Sequence, residues 1–139
     1  MFIEISGPLS IYIPPMKSGS SFDFEIAHAM DVSGVKLLGL VARLLQNAIP
    51  SNITVKVMAA AVWPLDADPN NRYEDTATEI ASINQFDTST VAGRLYRSTV
   101  SSVPINAPNM RVIVRVAAEA DTASPGSVTI SVGSAMYAT

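Results

Sequence analysis

Five stretches of this chain alternate apolar and polar residues with a period of two, the pattern a strand takes when one face meets a core and the other meets water. In LSIYI, Leu9, Ile11 and Ile13 share a face until Pro14 and Pro15, which cannot donate to a ladder, end the run. SFDFEIAHA sets Phe22, Phe24 and Ile26 against Asp23 and Glu25, a half-solvated strand. NITVKVMAAAVW opposes Ile53, Val55 and Val57 to Thr54 and Lys56 and continues through three alanines to Trp63. MRVIVRVAAEA turns Met110, Val112, Val114 and Val116 inward and Arg111, Arg115 and Glu119 outward. SVTISVGSAMY repeats the scheme with Val128, Ile130 and Val132.

One apolar segment does not alternate. VKLLGLVARLLQNA carries Leu37, Leu38, Val41, Leu44 and Leu45 at helical spacing, but it also fits a strand buried on both sides, and periodicity alone does not separate the two. Gly39 in its interior, the missing N-cap in DVSGV and strand neighbours on both sides favour strand. GRLYRSTV reads as a further strand and TEIASINQF as a weaker one. PPMKSGSS, AIPSN, VPINAPN and DTASPGS supply the turn chemistry between them. The expectation is an all-β antiparallel sandwich or jelly roll of about eight short strands, one domain over residues 1–139, with no internal repeat and no linker.

Composition narrows the function classes. Charged residues are 15% of the chain against roughly 25% in an ordinary soluble domain, while hydrophobic residues are 48%, which favours burial between subunits. A net charge of −3 without a clustered basic face argues against nucleic acid as a direct partner. The absence of cysteine removes thiolate nucleophiles, disulfides and zinc-thiolate sites. The opening MFIEISGPLS lacks the basic and apolar regions of a secretory signal, and the longest apolar run, LLGLVA, is far below the roughly 20 residues that span a bilayer. A protein made in the cytoplasm, with no membrane partner, is expected.

Chemistry has few places to reside. WPLDADPNNRYED, residues 63–75, gathers four acidic side chains behind the only Trp. Asp66, Asp68 and Asn70 have the spacing of a calcium loop, yet its sixth position is Asn71 instead of Gly and its twelfth is Ala77 instead of Glu. A looser calcium site through Asp66, Asp68, Glu74 or Asp75 stays open, and a solvated turn is the preferred reading. An exposed loop does not provide the dry setting that separates the pKa values of a catalytic carboxylate pair. His28, in phase with Phe22, Phe24 and Ile26, is expected to point into the sandwich near a strand end, with no marked nucleophile beside it. No phosphate loop, nucleophile elbow or dinucleotide fingerprint occurs. We therefore assign no catalytic residue, no cofactor and no metal ligand. Trp63, Tyr73, Tyr96 and Tyr137 could form a sugar platform, but Trp63 continues the inward phase of its strand.

The stretches DVSGV (residues 31–35), MRVIVRVA (110–117) and SVTISV (127–132), set between the other strand patterns, resemble the small jelly-roll capsid decoration, or cement, proteins of tailed bacteriophages. The resemblance covers about two thirds of the chain and rests on strand patterns rather than chemical signatures. It implies a non-enzymatic virion protein on the capsid surface, a homotrimer bridging neighbouring major capsid proteins, with binding as its whole mechanism. Edge strands or the MFIEI segment would pair with a neighbouring chain, making Phe2, Ile3, Ile5 and Leu9 candidate interface residues. The acidic residues Asp66, Asp68, Glu74 and Asp75 would meet Arg or Lys on an adjoining subunit. The alternatives are a carbohydrate- or receptor-binding jelly-roll module and the coat subunit of a single-jelly-roll virus, although the latter often carries a basic arm and no basic residue precedes Lys17 here.

Overall fold

Each alternating segment becomes a strand in the computed structural model, which describes residues 1–62, 78–104 and 107–138. In chain order the described strands are β1 (Phe2–Ile13), β2 (Ser21–Asp31), β3 (Leu37–Ala48), β4 (Ile53–Val62), β5 (Thr78–Phe86), β6 (Leu95–Arg97), β7 (Ser101–Ser102), β8 (Asn109–Ala118) and β9 (Gly126–Tyr137). They form two antiparallel sheets. One has the order β1-β9-β3-β6, with β7 also on β3, and the other has the order β2-β8-β4-β5. Nested pairing explains that order: β4 pairs with β5, β3 with β6 and β7, β2 with β8, and β1 with β9. The long hairpin is then rolled so that β9 also pairs with β3 and β8 with β4. This is a jelly roll, as the alternation predicts.

The core lies between the sheets and is made from the inward phase. Ile11, Ile13, Leu38, Leu40, Leu44, Val128 and Ile130 descend from one sheet. Val55, Val57, Ile83, Phe86, Met110, Val112, Val114 and Val116 rise from the other, and all of these are essentially free of solvent. Full burial of one such aliphatic side chain stabilises by roughly 1.5–3 kcal/mol. Phe86 also meets Tyr96 edge-on, with ring centroids 5.2 Å apart.

The ambiguous segment is strand β3. Its inward residues Leu38, Leu40, Ala42 and Leu44 are buried in the core, while Gly39 lies beneath Val100 on the outer side, where a Cβ would stand 3.3 Å from Val100 Cγ2. A strand paired on both edges and covered over part of both faces reads as a continuous apolar run, which is why alternation is missing there. DVSGV is the turn that delivers it. The Asp31 carboxylate accepts from the Ser33 amide at 2.8 Å, Val35 N–H donates to Val32 O at 3.0 Å, and Gly34 takes φ +79°, a conformation that costs a side chain little only when there is none.

Three boundaries differ from the sequence expectation. There are nine described strands, close to the eight expected, but six of them run to 10 to 12 residues instead of being short. β1 begins at Phe2 rather than Leu9, because irregularities between Glu4 and Ser6 and between Ser6 and Leu9 absorb the Gly7-Pro8 step at a sheet edge, where proline is tolerated. GRLYRSTV yields only the three residues of β6, whereas the weaker TEIASINQF yields the nine of β5.

Candidate functional site

The outward phases of the two sheets carry different chemistry. On β2-β8-β4-β5 the charges are paired across strands. Arg115 donates through Nε to Asp23 Oδ1 at 2.8 Å and through Nη2 to Asp23 Oδ2 at 3.1 Å, a two-point contact between directly opposite residues. This hydrogen bonding, helped by the charge of Arg115 and Arg111, holds the Asp23 carboxyl below its ordinary pKa against a smaller opposing effect of desolvation; the same contact raises Arg115. Arg111 reaches Glu25 Oε2 at 2.9 Å, and Lys56 Nζ lies 2.7 Å from Glu79 Oε1. Ile113 points outward between the two arginines and is nevertheless only 3% exposed.

His28 belongs to this face, contrary to the expectation that it points into the sandwich. It is exposed, and its Nδ1 lies 2.7 Å from Glu25 Oε1. The reason is a register shift: Glu25 pairs with Ile113 and Ala27 with Val112, so β2 advances two residues while β8 advances one. That bulge inverts the phase after Ile26 and turns His28 outward.

The outer side of β1-β9-β3-β6 is built otherwise. The outward residues of β9 are all small through Ser127, Thr129, Ser131, Gly133 and Ala135, leaving a trough along the centre of the sheet. Phe2 from β1 lies across it; a Cβ on Gly133 would overlap the Phe2 ring atoms. Val41 stands opposite Arg97, and Arg43 opposite Leu95. Phe2, Val41, Arg43, Leu95, Arg97 and Tyr137 line one shallow depression of about 500 Å³, continuous with a second of about 210 Å³ that adds Glu4 and Ser131. Phe2 is 62% exposed, Tyr137 44% and Leu95 43%. Arg43, Arg94 and Arg97 are exposed and make no ion pair among the described residues.

The residues proposed from sequence distribute unevenly over this map. Of the four on β1, Phe2 alone stands on the outer face; Ile3, Ile5 and Leu9 pack against the core. The MFIEI segment belongs to edge strand β1, where Phe2 pairs with Ala135, Ile3 with Ser134, and the Met1 ammonium donates to Met136 O at 3.0 Å. Asp66, Asp68, Glu74 and Asp75, with Trp63 and Tyr73, lie outside the described residues. Tyr96 packs against the core and donates its hydroxyl to Val91 O at 2.7 Å, whereas Tyr137 is on the outer side of the same sheet, so these two do not share a platform. Arg43, Val41, Leu95, Arg97 and Tyr137 were not legible as a group. The available signal was the run of small residues in the outward phase of β9.

A separate cleft of about 780 Å³ opens at one end of the sandwich between the DVSGV turn and the segment before β8, lined by Val32, Val35, Lys36, Val103, Ala107 and Pro108. Among the described residues no three His, Asp or Glu side chains converge as a metal site would require, and no helix is long and apolar enough to cross a membrane.

No protein-family model and no curated protein matches this sequence. The fold is similar to that of a chain in the structure of the infectious bursal disease virus Gt strain, with a TM-score of 0.50 and 9% identity over 96% of this chain and 30% of that one. A chain of T=1 particles derived from infectious bursal virus aligns with a TM-score of 0.50 and 7% identity, covering 98% of this chain and 31% of that one. A chain of the Triatoma virus empty capsid aligns with a TM-score of 0.48 and 12% identity, covering 99% and 87% respectively. This chain thus spans about a third of the length of the two bursal virus chains. At such identities the likeness is one of fold.

Proposed function

We propose that this chain is a non-enzymatic structural protein of a virion, and more specifically a capsid decoration protein that binds neighbouring capsid subunits and copies of itself on the particle surface. The observation that carries the reading is the outer face of β1-β9-β3-β6, a broad area of exposed apolar side chains with arginines at its margin on a rigid sheet. Exposed Phe and Tyr beside Arg are residue types enriched at protein interfaces, and a contiguous apolar patch that includes them marks a contact surface. The jelly-roll order supports the same reading, since the chains of similar fold at a TM-score of 0.50 come from a virus and from virus-derived particles.

The partners on this reading are the major capsid protein and further copies of this chain, arranged as a homotrimer, with no direct contact to nucleic acid. The test is mass spectrometry of purified particles from the source of the gene, followed by stripping and rebinding of the recombinant full chain. Repeated copies per particle and saturable rebinding are expected. Absence from the particles would reject the proposal. Deleting residues 1–8 is a poor probe, because it removes half of a strand paired to β9; Phe2→Ser and Leu95→Ser alter the face and keep the ladder.

A further inference from the structure

The two outer faces differ in whether their cations already have partners, and that difference points to what covers the apolar one. On β2-β8-β4-β5, Arg111, Arg115 and Lys56 are each held by a carboxylate within 2.9 Å. On β1-β9-β3-β6, Arg43 and Arg97 lie on adjacent strands at diagonal positions, beside Phe2, Val41, Leu95 and Tyr137, and neither has an ion pair among the described residues. Glu4 is the one carboxylate lining the same depressions. An arginine pair on an apolar sheet is completed by a carboxylate, which it meets through two parallel hydrogen bonds.

The chain carries the complement in its own sequence. Residues 64–75 contain Asp66, Asp68, Glu74 and Asp75 against Arg72, a net charge of −3, which is the net charge of the whole chain. The remaining eight acidic and eight basic residues cancel. All of the surplus negative charge is therefore concentrated in one segment, and the cations without an ion pair among the described residues include two on one sheet face.

We propose that the outer face of β1-β9-β3-β6 receives the acidic segment 66–75 of a second copy of this chain, its carboxylates meeting Arg43 and Arg97 while the exposed Phe2, Leu95 and Tyr137 are covered. This rests on reading the chain as an assembling structural protein and names the surface and the occupant. The contact joins two different surfaces, so it is head-to-tail, and a head-to-tail contact whose rotation closes makes a ring. Both components of the contact are then used once by every subunit, which matches a face and a segment occurring once per chain.

The head-to-tail geometry supplies a decisive experiment. The full chain is prepared in three forms: unaltered, with Arg43→Glu and Arg97→Glu, and with Asp66, Asp68, Glu74 and Asp75 each changed to Asn or Gln. Mass photometry in low salt should show a closed oligomer for the unaltered chain, weakened at least about tenfold in each variant. Mixing the two variants should produce a one-to-one heterodimer and nothing larger, because one intact face meets one intact segment. Circular dichroism melts of both variants should keep the single cooperative transition of the unaltered chain, with no loss of folded signal at the assay temperature. A monomeric unaltered chain, undiminished self-association of either variant, or no heterodimer on mixing would overturn the inference. A chain that is monomeric alone yet incorporated into particles leaves the virion role standing and removes this contact. One that forms the ring but is absent from particles does the reverse.

Discussion

The two outward faces of this sandwich share a backbone plan and differ in how their polar groups are satisfied. On β2-β8-β4-β5 each described arginine or lysine is matched to an acid on a neighbouring strand, and a large aliphatic residue, Ile113, is excluded from solvent between two such pairs. On β1-β9-β3-β6 the central strand offers small residues, Phe2, Leu95 and Tyr137 stay exposed, and the arginines have no ion pair among the described residues. The first arrangement is complete within one chain. The second becomes complete only when another surface arrives, and exposed apolar area beside unmatched arginines is the physical signature of a surface awaiting a partner.

The largest effect should come from the layer that both faces rest on. Leu40→Ala removes a fully buried side chain from β3 and should cost about 2–5 kcal/mol by urea unfolding, flattening the contrast by loosening both sheets; a loss under about 1 kcal/mol would mean that β3 is not a central support. Next, Gly133→Val should cost about 1–3 kcal/mol, since Phe2 must leave the trough. Adding Phe2→Ala should recover part of that loss, and strictly additive melting shifts would show that the ring does not occupy the trough.

The paired face should respond to acid. The Asp23 carboxyl is held below its ordinary pKa, so its contribution is present above the unfolded carboxylate value, near 4, and is lost as pH falls through the lower folded value. For a partly exposed pair the size is limited to about 0.2–1 kcal/mol. Asp23→Asn should therefore reduce stability slightly at neutral pH and flatten its fall below about pH 4; an unaltered acid limb would place the dependence elsewhere. The smallest effect belongs to the open face. Arg43→Gln with Arg97→Gln should change the unfolding free energy of the isolated chain by no more than about 0.5 kcal/mol, because no ion pair with a described residue is lost. A destabilisation like that expected for the paired face would erase the contrast.

Reading strands from this sequence worked where one face was polar, and less well elsewhere. Met110, Val112, Val114 and Val116 read as inward and are buried; Leu37–Ala48 reads as strand only through Gly39, the missing N-cap and its neighbours, because its own residues are apolar on both phases, and it is strand β3. His28 was placed on the wrong side, since a bulge depends on how β2 registers with β8, about 85 residues further on, and leaves no local mark. Of the four β1 residues offered as an interface only Phe2 faces outward, for a related reason: which side of β1 meets the core is decided by its register with β9 at the other end of the chain.

Along β4, β8 and β9 alternation determined which side chains enter the core, because period-two patterning is a property of consecutive residues and each inward residue identifies its neighbours' side. It also determined that two sheets must cover one another and that one segment holds the surplus acid. Only the tertiary structure decided which outward residues meet. Arg43 and Arg97 lie 54 positions apart, and Phe2 and Gly133 lie 131 apart, and each pair is adjacent because antiparallel strands remote in sequence were brought into a particular register. Register is set by the summed fit of the buried face, so the outward face inherits an arrangement that no short stretch of the chain encodes.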